Sequence, residues 1–376
     1  MKSKTRQEIR NENVLNFLIS LVKGVIQMLP TTAWIVLTYS CNNRCCFCYA
    51  KDGCSMGDGH NDEWMDYSFA CNAIQKLARL GVKNCLLIGG EPTLYPDIVP
   101  LVSIGAKCGV HMKLVSNGRK LADYDFVLRL KEAGLIHSSV SLEAAREEKH
   151  NFITQTSSFA ESLQGAKNLL KAEISANSIM TISTLNVDDI VANAILMHSI
   201  GMPNILYNFS LPSIDEQGGV TDSFALDPRD NAKAITEAYL YLKRKKGIHI
   251  SFFATLPLCL FPEEILDEMR EDMTIGRDYH CHIYYGTGVA IEPNGDVLPC
   301  THFVGSPLFN AKGSNGELVE SFEEQWEYGI HLDFVKEAWH YPAEACEGCK
   351  YWGKCFAGCP FIWTFFEPKK YLTRRI

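Results

Sequence analysis

The sequence predicts an α/β protein in which a parallel sheet is followed by a smaller cysteine-rich region. Up to about residue 253, short β-rich runs alternate with longer helical segments, and beyond it glycine, proline, aromatic residues and cysteine dominate. A chain of 376 residues is long for one ordinary core, which favours one large domain and one smaller domain.

The β-rich runs and the helical segments form six successive pairs. The predicted strands are Trp34–Tyr39, Asn84–Ile88, His111–Ser116, Ser138–Leu142, Ser178–Thr184 and Asn204–Phe209. The predicted helices are Asp66–Leu80, Asp97–Cys108, Ala122–Ala133, Ser158–Ala172, Val187–Ile200 and Pro228–Lys246. Several helices end at glycine, which is typical of helix C-termini. Six such pairs predict a parallel sheet with right-handed crossovers.

The two flanks of this sheet have different patterns. Before the first strand, Asn16, Ser20, Lys23 and Gln27 recur at helical spacing and predict an amphipathic helix, which is too short and interrupted to span a bilayer. After the sheet, Val289–Leu298 predicts a β-hairpin around an Asn-Gly turn. The expected domain boundaries are 1–32 for the helix, 33–255 for the sheet and 256–376 for the cysteine-rich region.

The net charge and the cysteine content indicate which cellular compartment and which class of partner to expect. The net charge of −8 gives no support for a nucleic-acid partner, which requires a basic surface. The start of the sequence has no secretory signal with a small-residue cleavage site, so we expect a cytoplasmic protein. In a reducing compartment, clustered members of the fifteen cysteines are expected to be metal ligands rather than disulfides.

The most informative motif follows the first predicted strand. Cys41, Cys45 and Cys48 have the spacing C-x3-C-x2-C. Three thiolates from one short loop can hold three irons of a 4Fe–4S cluster and leave the fourth iron open to a ligand. A zinc site is the alternative, but structural zinc usually has four ligands, often from two C-x2-C pairs.

A second motif, Gly89-Gly90-Glu91-Pro92, follows the second predicted strand, about forty residues later. Together, these motifs resemble the radical S-adenosylmethionine (radical SAM) superfamily. The resemblance implies a partial (β/α)6 TIM-like barrel, open on one side. It also implies that the open iron chelates SAM, which the reduced cluster cleaves to methionine and a 5′-deoxyadenosyl radical.

The same resemblance implies a set of SAM contacts at the strand ends. The Gly-Gly-Glu turn would bind the amino group, the aromatic residue before the last cysteine would lie near the adenine, and polar residues after the third and fourth strands would contact the methionyl part and the ribose. The family pattern S-L-D-G is replaced here by S-L-E-A, which leaves the role of Glu143 open. The expected SAM-binding residues are Phe47, Gly89, Gly90, Glu91, Ser116, Asn117 and Ser141.

The C-terminal cysteines have the spacings C-x13-G-x4-C and C-x2-C-x5-C-x3-C. In this order they resemble the SPASM extension of radical SAM enzymes that modify peptides, which holds auxiliary 4Fe–4S clusters. The resemblance implies one cluster on Cys259, Cys281, Cys300 and Cys359. A second would use Cys346, Cys349 and Cys355, and its fourth iron would be open or would bind a ligand that is not cysteine. A structural zinc site, a single auxiliary cluster and a buried, unligated Cys259 are the alternatives.

The function implied is that of a maturase that oxidatively cross-links a ribosomally made precursor peptide, with flavodoxin or ferredoxin as electron donor. Its leader would bind the N-terminal helix, a separate protein or a strand edge. Oxidation of a small molecule or carbohydrate, peptide epimerisation and a non-enzymatic iron–sulfur carrier are the other hypotheses. No catalytic acid or base stands out, although polar residues near predicted strand ends could face the substrate: His137, Glu143, Tyr207 and Asn208.

Overall fold

The computed structural model describes residues 29–50, 64–211, 224–252, 256–275 and 281–373. Most of the predicted N-terminal helix therefore lies outside the described residues. The strands are β1 Thr32–Val36, β2 Asn84–Ile88, β3 His111–Ser116, β4 Leu135–Ser141, β5 Ser175–Ile182, β6 Asn204–Phe209, β7 Ser251–Phe252, β8 Gly288–Ile291, β9 Asp296–Leu298 and β10 Phe309–Asn310. The helices are α1 Tyr67–Arg79, α2 Ile98–Lys107, α3 Tyr124–Ala133, α4 Glu147–Thr154, α5 Phe159–Lys171, α6 Ile190–Ser199, α7 Pro228–Tyr241, α8 Glu263–Glu271, α9 His282–Tyr285, α10 Phe322–Glu327, α11 Ile330–Ala338, α12 Ile362–Phe365 and α13 Pro368–Tyr371.

All ten strands belong to one sheet, in the order β10-β9-β8-β1-β2-β3-β4-β5-β6-β7. Strands β1 to β6 pair in parallel with their neighbours in sequence order, as the alternation of strands and helices predicted. The short strand β7, which was not predicted, continues this parallel order beside β6. Strand β8 pairs in parallel with the free side of β1, and β9 returns antiparallel to β8 as the predicted hairpin. The cysteine-rich region is therefore joined to the barrel by a continuous sheet.

The first strand ends earlier than predicted. Strand β1 stops at Val36, because the next residues leave it to form the cysteine loop. The Leu37 N–H still donates to the Ile88 carbonyl at 2.9 Å, but Thr38 accepts from Gly90, which lies beyond the end of β2. The departure of the chain from β1 therefore carries the cysteine loop over the carboxyl end of the sheet.

Two helical features of the part before residue 253 were not predicted. Helix α4 lies in a segment to which no element was assigned, and its first residue follows Arg146, which makes no side-chain capping hydrogen bond. Helix α7 passes at Tyr241 into a π-helical turn over Leu242–Lys246, so the predicted long helix changes its geometry near its end. Within the described ranges, no helix is long and apolar enough to cross a membrane.

The sheet has two distinct packing faces. Residues Ile205, Tyr207 and Phe209 of β6 alternate with half-buried neighbours and belong to the main core between the sheet and its helices. A separate small apolar cluster is formed by buried Val36, Tyr39, Ala50 and Ile88, with partly buried side chains packed against it: Trp34, Cys48, Tyr49, Leu86, Val115 and Val304. This second cluster brings β1, β2, β3, the cysteine loop and the C-terminal region together.

Candidate active site

The cysteine loop after β1 packs directly on the turn after β2. The Gly90 N–H donates to the Thr38 carbonyl at 2.7 Å, and the Glu91 N–H donates to the Ser40 carbonyl at 2.9 Å. A Cβ atom on Gly89 would lie 2.2 Å from the Thr38 oxygen, and one on Gly90 would lie 2.4 Å from the Tyr39 oxygen. Glycine is therefore required here because two backbone segments touch.

The end of helix α4 supports the other side of the loop. The Arg44 N–H donates to the Thr154 carbonyl and the Cys46 N–H donates to the Ile153 carbonyl, each at 2.9 Å. The carbonyl groups near a helix C-terminus have no partner inside the helix, and here the loop supplies donors for two of them. Helix α4 thus positions the cysteines, although the sequence motifs gave no signal for it.

Burial disfavours the charged forms of the loop thiols. Desolvation raises the pKa of Cys41 to about 12 and raises that of Cys45 well above its ordinary value. In both cases the nearby charge of Cys48 adds to the increase. Iron binds thiolate, so a bound cluster would supply the positive charge that stabilises the deprotonated form in this buried loop.

The three cysteines of the loop provide the donors of a 4Fe–4S cluster. Such a cluster binds each thiolate through a different iron, so three thiolates leave one iron open. The thiols lie near one another, because the charge of Cys48 acts on both Cys41 and Cys45.

The carboxylate of Glu91 joins the ends of β2 and β3. Its Oε1 accepts from the Thr93 N–H at 3.0 Å and from the Ser116 hydroxyl at 2.8 Å, and its Oε2 accepts from the Asn117 N–H at 2.7 Å. Burial raises the pKa of Glu91, although these hydrogen bonds oppose the increase. Glu91 therefore fixes two of the predicted SAM-binding positions.

Asn117 contacts the cysteine loop directly. Its Nδ2 donates to Asn42 Oδ1 at 2.6 Å and lies 4.0 Å from Cys41 Sγ, which also accepts from the Asn43 N–H at 3.4 Å. The Arg119 guanidinium donates to the Asn42 carbonyl. The structure thus brings the strand ends β2 and β3 and the cysteine loop into one hydrogen-bonded unit.

The remaining predicted SAM positions lie at the same edge. Ser141 is the last residue of β4 and is half-buried, as is Phe47 in the cysteine loop. Glu143, two residues past Ser141, is buried and accepts from the Thr181 N–H at 2.8 Å. Desolvation raises the pKa of Glu143 to about 8, so burial favours the neutral form of this carboxyl group.

Two of the polar residues considered for the substrate site are engaged elsewhere. The His137 ring lies 3.0 Å from Ser175 Oγ and 2.7 Å from Asn177 Oδ1, in the first half of β4 and β5 rather than at their carboxyl ends. The Tyr207 hydroxyl donates to the Ile190 carbonyl at 2.8 Å, beneath helix α6. Asn208, next to Tyr207, is half-buried near the end of β6.

The C-terminal cysteines form two groups. In the first group, the thiols of Cys281 and Cys300 lie close enough to raise the pKa of Cys359 by their charge, after the larger effect of burial. The second group comprises the cysteines that line one cavity beside the segment 257–259: Cys259, Cys346, Cys349 and Cys355. Cys259, which the sequence analysis assigned to the first group, thus lines the cavity of the second.

A histidine that the sequence did not single out connects the first group to the loop. His302 Nδ1 lies 3.6 Å from Cys300 Sγ, and burial lowers the pKa of His302 to about 4. Its ring packs against that of Tyr49 at an angle of 32°, with the centroids 4.6 Å apart, and Tyr49 directly follows Cys48. Only the folded structure shows this contact, because about 250 residues separate the two rings in the sequence.

Comparisons with known proteins agree with this geometry. Residues 35–196 match the sequence family described as the Radical SAM superfamily. The AdoMet-dependent heme synthase of Methanosarcina barkeri is 29% identical over 338 residues, which cover 87% of this chain and 90% of that protein. The sporulation killing factor maturation protein SkfB of Bacillus subtilis is 27% identical over 184 residues, 49% of this chain and 43% of that protein.

A solved structure extends the comparison to the whole fold. SuiB of Streptococcus suis, bound to its precursor peptide SuiA, superposes with a TM-score of 0.67 at 18% identity. The alignment covers 93% of this chain and 76% of that chain. At this identity the likeness concerns the fold, including the cysteine-rich region that follows the barrel.

Proposed function

The chain belongs to the radical SAM superfamily, and from this premise we propose that it oxidatively cross-links a ribosomally made precursor peptide. The observation that carries the SAM chemistry of this proposal is the hydrogen-bonded unit formed by the cysteine loop and the ends of β2 and β3. When bound, the cluster and SAM supply a 5′-deoxyadenosyl radical that abstracts a hydrogen atom from the substrate.

In this proposal the chain's own residues hold and orient these groups. Cys41, Cys45 and Cys48 hold the radical SAM cluster, and the Gly89–Gly90 turn keeps the loop at the carboxyl end of the barrel. Asn117, Ser141 and Phe47, at the same edge of the sheet, would contact SAM. The Glu91 carboxylate already accepts several hydrogen bonds from the protein, so its contribution is to position Ser116 and Asn117.

The likenesses to SuiB and SkfB support a peptide as the substrate. The cysteine-rich region that continues the barrel sheet would hold auxiliary clusters, which would accept one electron from the substrate radical as it loses a proton and becomes the oxidised product. We further propose the domain limits 1–32, 33–255 and 256–376, a cytoplasmic location, and flavodoxin or ferredoxin as the source of the electron for SAM cleavage.

The likeness to a heme synthase over 87% of the chain supports a second candidate function, the oxidation of a small molecule. Both functions use the same SAM site and differ in the substrate that the open side of the barrel accepts.

One experiment separates the two functions. Anaerobically reconstituted protein is incubated with SAM and dithionite, together with the short peptides encoded beside its gene or with porphyrin and carbohydrate substrates. The proposal predicts a peptide product lighter by two hydrogen atoms and formed together with 5′-deoxyadenosine. Turnover of a small molecule, with every peptide unchanged in mass, would establish the second function instead. The variant with Cys41, Cys45 and Cys48 all replaced by alanine is the control.

A further inference from the structure

We propose that Cys259 is the fourth ligand of one auxiliary cluster, which it holds together with Cys346, Cys349 and Cys355 in a closed four-cysteine site. This inference rests on the proposed function. It reverses the assignment made from the sequence, in which Cys259 joined Cys281 and the Cys346 group lacked a fourth cysteine.

The cavity beside Cys259 is the first observation. It is lined by all four of these cysteines, whereas none of the first group lines it. The other lining residues are apolar or aromatic, among them Trp352 and Leu372. Convergent thiols in an apolar pocket form a donor set suited to an iron–sulfur cluster, because soft thiolate ligands select such clusters and the surrounding apolar shell keeps water away.

A hydrogen bond fixes the segment that carries Cys259. The Leu258 N–H donates to Cys355 Sγ at 3.3 Å, so the residue before Cys259 already contacts a member of the group. Residues Leu258–Leu260 form a single 3₁₀ turn, which ends at Phe261 in the main core. Backbone donors to cluster thiolates tune the potential of such clusters, and this donor comes from the segment that would supply the fourth ligand.

The chain reverses between the two cysteine groups. After Cys355, Phe356 and Ala357 both adopt left-handed backbone conformations, with φ values of 47° and 61°. Such conformations are costly for residues with a side chain and persist where the surroundings enforce them. Here the Tyr284 hydroxyl donates to the Gly358 carbonyl at 2.9 Å, and the Tyr284 ring stacks on Phe356 with centroids 4.1 Å apart.

This reversal separates two cysteines that are close in sequence. Cys355 stays with the second group, while Cys359, only four residues later, lies with Cys281 and Cys300. Cys359 does not line the cavity of the second group, and Cys259 is the fourth cysteine that does. The first group then has three cysteines, and the imidazole of His302 is adjacent to it.

Double variants test the grouping directly. If two cysteines bind the same cluster, removing both should cost no more iron than removing one, and if they bind different clusters the losses should add. We expect Cys259→Ala combined with Cys346→Ala to lose one cluster's iron, and Cys259→Ala combined with Cys281→Ala to lose two. The measurements are iron and sulfide per chain and the electron paramagnetic resonance spectrum of the dithionite-reduced protein. Cys108→Ala, an exposed cysteine after α2, is the matched control.

The outcomes distinguish this inference from the proposed function. The assignment from the sequence would be restored, and ours overturned, if the iron losses add in the Cys259→Ala/Cys346→Ala variant but do not add in the Cys259→Ala/Cys281→Ala variant. A Cys259→Ala protein that matches Cys108→Ala in iron and spectrum would show that Cys259 is an unligated thiol. If the wild-type protein has radical-site iron alone, the auxiliary clusters of the proposed function fail together with this inference.

A measurement on the wild-type protein covers the case in which a variant does not fold. Alkylation with iodoacetamide, read by mass spectrometry before and after the iron is chelated, reports which thiols the clusters protect. We expect Cys259 to be protected in the reconstituted protein and modified after chelation, in parallel with Cys349, while Cys108 reacts in both states. Equal modification of Cys259 in both states would overturn the inference.

Discussion

Replacing Gly90 by alanine should separate the cysteine loop from the end of β2. The new Cβ would lie 2.4 Å from the Tyr39 oxygen and 2.5 Å from the Ser40 oxygen, whereas ordinary contacts begin at 3.4 Å, so the two backbones must move apart by about 1 Å. That movement weakens the hydrogen bonds to Thr38 and Ser40, which are 2.7 and 2.9 Å long. Two backbone hydrogen bonds contribute about 1–3 kcal/mol together, so we expect a loss of that size in the free energy of unfolding.

The functional loss should be larger than the loss of stability, because the loop that moves carries the three cysteines of the radical site. We expect the Gly90→Ala protein to be reconstituted with one cluster fewer and to produce little 5′-deoxyadenosine. Urea unfolding, iron analysis and chromatography of the reaction mixture measure the three quantities.

Gly105→Ala is the matched control for Gly90→Ala. Its Cβ would lie 2.1 Å from the sulfur of Met112, so the end of this flexible side chain must shift, but the shift occurs in the core and not at the cysteine loop. Any cost in stability therefore arises without moving the radical site, and alanine favours the helix that contains it. A Gly90→Ala protein with normal iron content and normal SAM cleavage would refute the requirement for close packing between these two segments.

Two further predictions concern buried histidines. Burial lowers the pKa of His150 to about 4 from 6.5, so the folded protein holds it neutral, while the unfolded chain protonates it as the pH falls below 6.5. The free energy of unfolding should therefore decrease as the pH falls from 6.5 towards 4. Urea unfolding of His150→Gln should show a smaller decrease over this pH range than the wild-type protein. Equal pH dependence of the two proteins would contradict the assignment. His302→Phe keeps a flat ring against Tyr49 but removes the nitrogen beside Cys300. A redox titration should show a shifted potential for one auxiliary cluster, while iron analysis should show normal iron content. An unshifted potential would show that His302 does not act on the cluster.

The parts of the fold that local pattern determines could be predicted from the sequence. Strands β2, β3 and β6 have the predicted bounds, because each is a short β-rich run that stops at a turn. Helix α4 was missed because Glu147–Thr154 is short, largely polar and lacks a side-chain cap at its start. Its importance comes from contacts with the cysteine loop, which is about one hundred residues away in sequence.

In the site too, some residues could be placed from the spacing of the sequence and others depend on the tertiary structure. The spacing of Cys41, Cys45 and Cys48 placed them on one loop after a strand, and the structure has them there. Spacing could not place Cys259, because its neighbours are set by the fold of a segment more than eighty residues later. The reversal at Phe356 and Ala357 also leaves no pattern in the sequence, since neither residue type favours a left-handed conformation.

The formation of 5′-deoxyadenosine tests the central claim most directly. Reconstituted wild-type protein, given SAM and dithionite, should form it. The variant with alanine at Cys41, Cys45 and Cys48 should form none, while its circular dichroism and its auxiliary-cluster iron remain. Undiminished 5′-deoxyadenosine from this variant would show that the loop after β1 is not the site of SAM cleavage.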